Sequence, residues 1–114
     1  MHCFSKNLEK MGILDIFKSN SVSNEELKQI INSGAFLVDV RSAGEFSGGS
    51  AKNAVNIPLD QVTQQIDKFK GKDNIVVFCR SGNRSGQAKS ILEQNGIKNV
   101  VNGGTWNAVA NLQS

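Results

Sequence analysis

At 114 residues, the chain has the length of one domain and is large enough to bury a core without disulfides or metals. Hydrophobic residues make up 39% and charged residues 20%, ordinary values for a globular protein. The net charge of +3 is scattered, and its densest group, Lys68, Lys70 and Lys72, reads as a solvated loop, so nucleic-acid binding is not supported.

Residues 1–20 read as an extension with a short amphipathic helix whose apolar members are Met11, Ile13, Leu14, Ile16 and Phe17. The segment lacks an unbroken apolar core followed by a small-residue cleavage site, so a secretory signal is not expected. Met11 is a second candidate start. No stretch in the chain approaches the ~18 apolar residues of a membrane span, so no stable membrane insertion is expected. Two cysteines, Cys3 and Cys79, make neither a CxxC pair nor a zinc site, which fits a reducing, cytoplasmic setting. The one histidine, His2, is terminal; a Ser-His-Asp triad, a Cys-His dyad or a histidine metal cluster is therefore not expected.

Residues 21–114 form the expected domain. "SNEELKQIINSG" carries a capping box, Ser23 with Glu26, and Gly34 suits the left-handed position after the last turn. Leu27, Ile30 and Ile31 share one face of that helix. "AFLVDV" (35–40) is the continuous apolar run of a strand buried on both sides. "RSAGEFSGGSAKN" follows as loop or irregular helix, and "AVNIP" as a short strand stopped by Pro58. "LDQVTQQIDKF" sets Leu59, Val62, Ile66 and Phe69 on one helical stripe. "NIVVFC" (74–79) is a second buried strand, "RSGQAKSILEQNG" a helix ended by Gly96, and "IKNVVN" a last strand. "GGTWNAVANL" closes the chain as a helix turning Trp106, Val109 and Leu112 inward. Strands alternating with helices over short connections predict an α/β domain with a mainly parallel central sheet and helices on both faces.

Ligands of open parallel sheets gather at the carboxyl ends of strands, and Cys79 ends the most buried one. The following turn, Arg80, Ser81, Gly82, Asn83 and Arg84, is suited to aim successive backbone N–H groups at one point. Gly82 and Asn83 tolerate the dihedrals of a concave turn. Such a turn, leading into a helix N-terminus, cradles anions and favours a thiolate. Arg80 and Arg84 add permanent charge, so Cys79 needs no imidazole to be activated. Phosphatases that use a cysteine in this way place five residues between Cys and Arg; here there are four, a loop better sized for a sulfane sulfur. A Cys-based phosphatase or arsenate reductase, and a non-catalytic interaction domain with the N-terminal helix as docking handle, remain alternative readings.

Four ordered motifs, "LVDVRSAGEF", "NAVNIPL", "VVFCRSGNRS" and "NGGTW", resemble those of a single-domain rhodanese, a sulfurtransferase, from about Ser23 to Trp106. The resemblance implies that Cys79 attacks the outer sulfur of thiosulfate or a related donor, keeps it as a persulfide and passes it to an acceptor. Arg80 to Arg84 would hold that sulfur and orient a small anionic donor. The acceptor would be cyanide in an assay, or an external thiol or thioredoxin-like protein. Asp39, Arg41, Glu45 and Ser85 would support the loop, with Glu45 as partner of Arg41; no cofactor or metal is implied. Two departures stand out. In "GSAKNA", Ser50 replaces the histidine common in the family, and Asn53 replaces a glycine. Trp106 also follows "GG" more closely than in many members, which leaves its place as a core anchor open.

Overall fold

The computed structural model describes residues 22–114, so the expected N-terminal helix, His2, Cys3 and Met11 lie outside the described residues. The described elements are α1 (Asn24–Asn32), β1 (Phe36–Asp39), α2 (Ala43–Ser47), β2 (Val55–Asn56), a 3₁₀ segment (Leu59–Gln61 and Thr63–Phe69), β3 (Ile75–Cys79), α3 (Asn83–Gln94), β4 (Val100–Thr105) and α4 (Trp106–Leu112). All strand pairs are parallel, in the order β2-β1-β3-β4.

Side-chain alternation along β3 divides the core. Ile75, Val77 and Cys79 face Ala88 and Leu92 of α3 together with Val62 and Phe69 of the 3₁₀ segment. Val76 and Phe78 face Leu27, Ile30 and Ile31 of α1 and Val109 of α4. Every residue of β3 is fully buried, as expected for the central strand of a sheet covered on both faces. α1 is held at its start by the predicted capping box. The Ser23 amide and hydroxyl donate to Glu26 Oε1 at 3.0 and 3.1 Å, and the Glu26 amide donates back to Ser23 Oγ at 3.2 Å. Gly34 has φ +95°, the left-handed value it was expected to supply.

The segment after β1, expected as loop or irregular helix, contains a short helix with its own capping box, Ser42 with Glu45, the same Ser-x-x-Glu signature as at Ser23. Two elements differ from the sequence expectation. "LDQVTQQIDKF" folds as two 3₁₀ segments, the second kinked at Gln65 (φ −117°, ψ 28°), not as one α-helix. No side-chain cap starts either segment, and the β-branched Val62, Thr63 and Ile66 lower the α-helical preference. The apolar stripe still reaches the core, with Val62 and Phe69 buried and Leu59 and Ile66 packed against them. Finally, the last strand runs to Thr105, so the glycines expected at a helix start lie within β4.

Those glycines make a bulge. Val77 pairs with Asn102 but Phe78 with Gly104, so Gly103 is the extra residue. A Cβ at Gly103 would fall 2.8 Å from Val76 Cγ1 and 2.9 Å from Val109 Cγ2, both side chains in the core. Gly103→Ala is therefore expected to destabilise the domain by about 1–3 kcal/mol through overpacking. Urea unfolding measures this, and an unchanged midpoint would show that the core yields at no cost.

Candidate active site

The strand order places the site. From β1 the chain goes to β2 on one side, while β3 continues to β4 on the other. The carboxyl ends of β1 and β3 thus meet at the crevice where open α/β sheets bind ligands. Asp39 ends β1 and is paired with Phe78; Cys79 ends β3.

Between β3 and α3 the chain makes its turn in three residues, Arg80, Ser81 and Gly82. Gly82, at φ +94°, is the N-cap of α3 and supplies no side chain to cap it. The first amides of the helix are thereby free to point at the sulfur. The Gly82 amide donates to Cys79 Sγ at 3.0 Å, and the Ser85 hydroxyl lies 3.5 Å from the same atom. Burial pushes the Cys79 thiol up. Hydrogen bonds from the Ser85 hydroxyl and from the Ser85, Ser81 and Gly82 amides push it down and prevail, so the thiol titrates below its ordinary value. Cys79 is the only cysteine among the described residues and is fully buried, with the exposed Arg80, Ser81 and Asn83 on the outside of the turn.

Arg84 turns away from the sulfur toward α2. Its two terminal nitrogens donate to Glu45 Oε1 and Oε2 at 2.8 and 3.1 Å, a bidentate pair. This corrects the expected Glu45–Arg41 pairing, because the α2 capping box holds Glu45 beneath the start of α3. The Ser42 amide and hydroxyl also donate to Glu45 Oε1, at 3.1 and 3.0 Å. Arg84 and Ser42 together lower the Glu45 carboxyl to about 2. Glu45 in turn holds the Arg84 guanidinium more firmly protonated.

Arg41 pairs with Asp39 instead. Arg41 Nη2 donates to Asp39 Oδ2 at 2.7 Å and to the Gly49 carbonyl at 2.6 Å, and the Arg41 amide donates to Asp39 Oδ1 at 3.0 Å. Asp39 is 0% and Arg41 5% exposed, so this is a buried pair whose spare lone pairs must be satisfied. Ser50 meets that need: its hydroxyl donates to Asp39 Oδ2 at 2.7 Å. Asn53 sits at φ +64°, the left-handed region that asparagine tolerates best among residues with a side chain. Both departures in "GSAKNA" therefore keep the local structure. Trp106, half-buried, places its ring 5.1 Å from the Arg41 guanidinium carbon and packs beside Gly49, anchoring the segment from the α4 side.

Sequence reasoning missed Asn102. It opens the "NGGTW" motif, but the sequence assigns its side chain no role, because that role comes from the bulge at Gly103. Its Oδ1 accepts from the Ser85 hydroxyl at 2.6 Å and from the Gly104 amide at 2.9 Å, while Nδ2 donates to the Gly82 carbonyl at 3.1 Å. Beside the turn, Arg84 helps line an open groove of about 670 Å³ with Ser42, Leu59 and Ile91; Cys79 lies beneath the turn and is not part of its wall. Among the described residues, no group of His, Cys, Asp and Glu could hold a metal ion, and no helix is long and apolar enough to cross a membrane.

A model of the rhodanese-like domain matches residues 23–109, most of the chain. The chain belongs to the rhodanese-like family. It is 36% identical over 78 residues to the thiosulfate sulfurtransferase PspE of Escherichia coli, covering 64% of this chain and 72% of PspE. It is 31% identical over 85 residues to a sulfurtransferase of Allochromatium vinosum, covering 73% and 79% of the two. Two Bacillus subtilis relatives are longer, and the chain spans about half of their length. The human single-domain sulfurtransferase TSTD1 superposes with a TM-score of 0.68 at 27% identity, over 82% of this chain and 97% of that one. Rhodanese-family membership and sulfurtransferase relatives support sulfurtransferase activity for this domain.

Proposed function

We propose that the domain moves a sulfane sulfur from thiosulfate, or a related small anionic persulfide donor, to an external acceptor, with Cys79 as the carrier. The supporting observation is Cys79 Sγ, buried at a strand end, accepting the Gly82 amide at 3.0 Å under an otherwise uncapped helix start. Amides fixed in that direction stabilise negative charge on sulfur before and after transfer without rearranging during the step.

In the first half-reaction the Cys79 thiolate attacks the outer sulfur of thiosulfate. A bond forms between Sγ and that sulfur, the S–S bond of thiosulfate breaks, and sulfite leaves with the electron pair. In the second, an acceptor nucleophile attacks the terminal persulfide sulfur, and the Cys79 thiolate returns as leaving group. No outside oxidant or reductant is needed. The sulfur lies beneath the Arg80–Arg84 turn, and the exposed Arg80 draws the anionic donor toward it. The acceptor is cyanide in an assay and a thiol or a thioredoxin-like protein in the cell.

A persulfide enzyme that releases sulfite before the acceptor binds gives ping-pong kinetics. Initial rates of thiocyanate formation, measured with thiosulfate and cyanide both varied, are expected to give parallel double-reciprocal lines. Intersecting lines would mean that cyanide binds before sulfite leaves, so that no free persulfide enzyme separates the two half-reactions.

A further inference from the structure

The Ser85 hydroxyl has one hydrogen and three acceptors in reach: Asn102 Oδ1 at 2.6 Å, the Gly82 carbonyl at 3.1 Å and Cys79 Sγ at 3.5 Å. Which of them receives it is decided by the backbone. The Gly104 amide can only donate, so the Asn102 atom facing it at 2.9 Å is the oxygen. The Gly82 carbonyl can only accept, so the atom facing it at 3.1 Å is the Asn102 nitrogen. That fixes the Asn102 amide, and its oxygen then takes the Ser85 hydrogen at the shortest of the three distances. The Gly82 carbonyl already accepts from the Gly86 amide at 3.0 Å and from Asn102.

The consequence falls on the sulfur. With the hydroxyl hydrogen on Asn102, Ser85 Oγ offers only lone pairs to Cys79 and is a suitable acceptor for a thiol S–H. A thiolate needs the opposite polarity, so on ionisation the hydroxyl must rotate its hydrogen from Asn102 Oδ1 to Sγ. We propose that Asn102 is a positioning residue that sets how readily Cys79 ionises, by competing with the sulfur for the single Ser85 hydrogen. The Gly103 bulge makes this competition possible, because it brings Asn102 opposite Val77 while Gly104 and Thr105 resume the ladder beside Phe78 and Cys79.

Charges around the sulfur come from other elements. They are Arg80 in the turn, Arg84 at the start of α3 bound to Glu45 of α2, and Asp39 at the end of β1 bound to Arg41; Asp60 lines the same groove as Arg84. From β4 the neighbours Asn102, Gly104 and Thr105 carry no charge. Uncharged Asn102 variants leave all of these charges in place.

The effect on turnover rests on reading Cys79 as the nucleophile, but the test does not. Alkylation of Cys79 by iodoacetamide across pH reports the thiolate directly, provided Cys3 is replaced by Ser in every protein compared. Asn102→Leu keeps the side-chain shape and removes the acceptor, so the alkylation midpoint is expected to fall, on the order of 0.5–1 pH unit. Asn102→Asp keeps an acceptor and adds negative charge, so its midpoint is expected to rise. Ser85→Ala should also raise it, and in that background Asn102→Leu should no longer lower it. Circular dichroism identifies the variants that fold, and Asn102→Asp or Asn102→Leu alone gives the sign. A rise or no change in Asn102→Leu, a fall in Asn102→Asp, or a drop that persists without Ser85 would overturn the proposal. If thiocyanate formation were absent while the midpoints moved as expected, the sulfur-transfer reading would fail and the role of Asn102 would stand.

Discussion

Cys79→Ser is expected to abolish sulfur transfer, by on the order of 10³-fold or more, while the domain stays folded. Serine keeps the shape of the side chain and can accept the Gly82 amide that now reaches Sγ at 3.0 Å. Its place among Val77, Ala88 and Leu92 is otherwise apolar, so a modest stability loss, within about 2 kcal/mol, is expected. A hydroxyl cannot carry a sulfane sulfur or leave from one, so no residual turnover should survive. Thiocyanate formation and urea unfolding, measured on the same preparation, separate the two effects. Retained turnover in a folded Cys79→Ser protein would remove Cys79 from the reaction.

The second large effect concerns stability. Asp39→Ala should cost about 3–5 kcal/mol, because it leaves the Arg41 guanidinium buried without its counter-charge. That is a large share of the roughly 5–15 kcal/mol by which a domain is stable. Three donors lose an acceptor at once: the Arg41 side chain, the Arg41 amide and the Ser50 hydroxyl. The charge is the larger part, so Asp39→Leu combined with Arg41→Met should recover most of the loss, as apolar replacement of a buried pair often does. Urea denaturation of the single and double variants measures both. A single-variant loss below about 1 kcal/mol would show that water reaches Arg41 and that the pair is not the scaffold it appears from its burial.

The legible parts of the molecule were those written in local pattern. Continuous apolar runs located β1 and β3, because a strand covered on both faces has no polar alternation to confuse it. The Ser23–Glu26 capping box fixed the start of α1, and the position of Cys79 at a strand end before a glycine turn marked the candidate site. Ser42–Glu45 carries the same cap signature, but the glycines around it left the segment open between loop and irregular helix. The partner of Glu45 was not legible, since Arg41 is near in sequence and Arg84 is 39 residues away; only the fold brings Arg84 closer. Asn102 was invisible for a similar reason. Its contacts with Ser85 and Gly82 depend on a bulge, and a bulge is a relation between two strands rather than a property of one. Ser50 and Asn53 looked like departures, yet each meets the local physical demand: a hydroxyl donor for a buried carboxylate, and a residue that accepts positive φ.

The most direct test of sulfur carriage is the intact mass of the protein after incubation with thiosulfate, before and after adding cyanide. The expected result is a gain of one sulfur atom in the wild type, absent from Cys79→Ser and discharged by cyanide. A wild-type mass that stays unchanged with thiosulfate and with persulfide donors, while Cys79 remains alkylatable, would contradict the account.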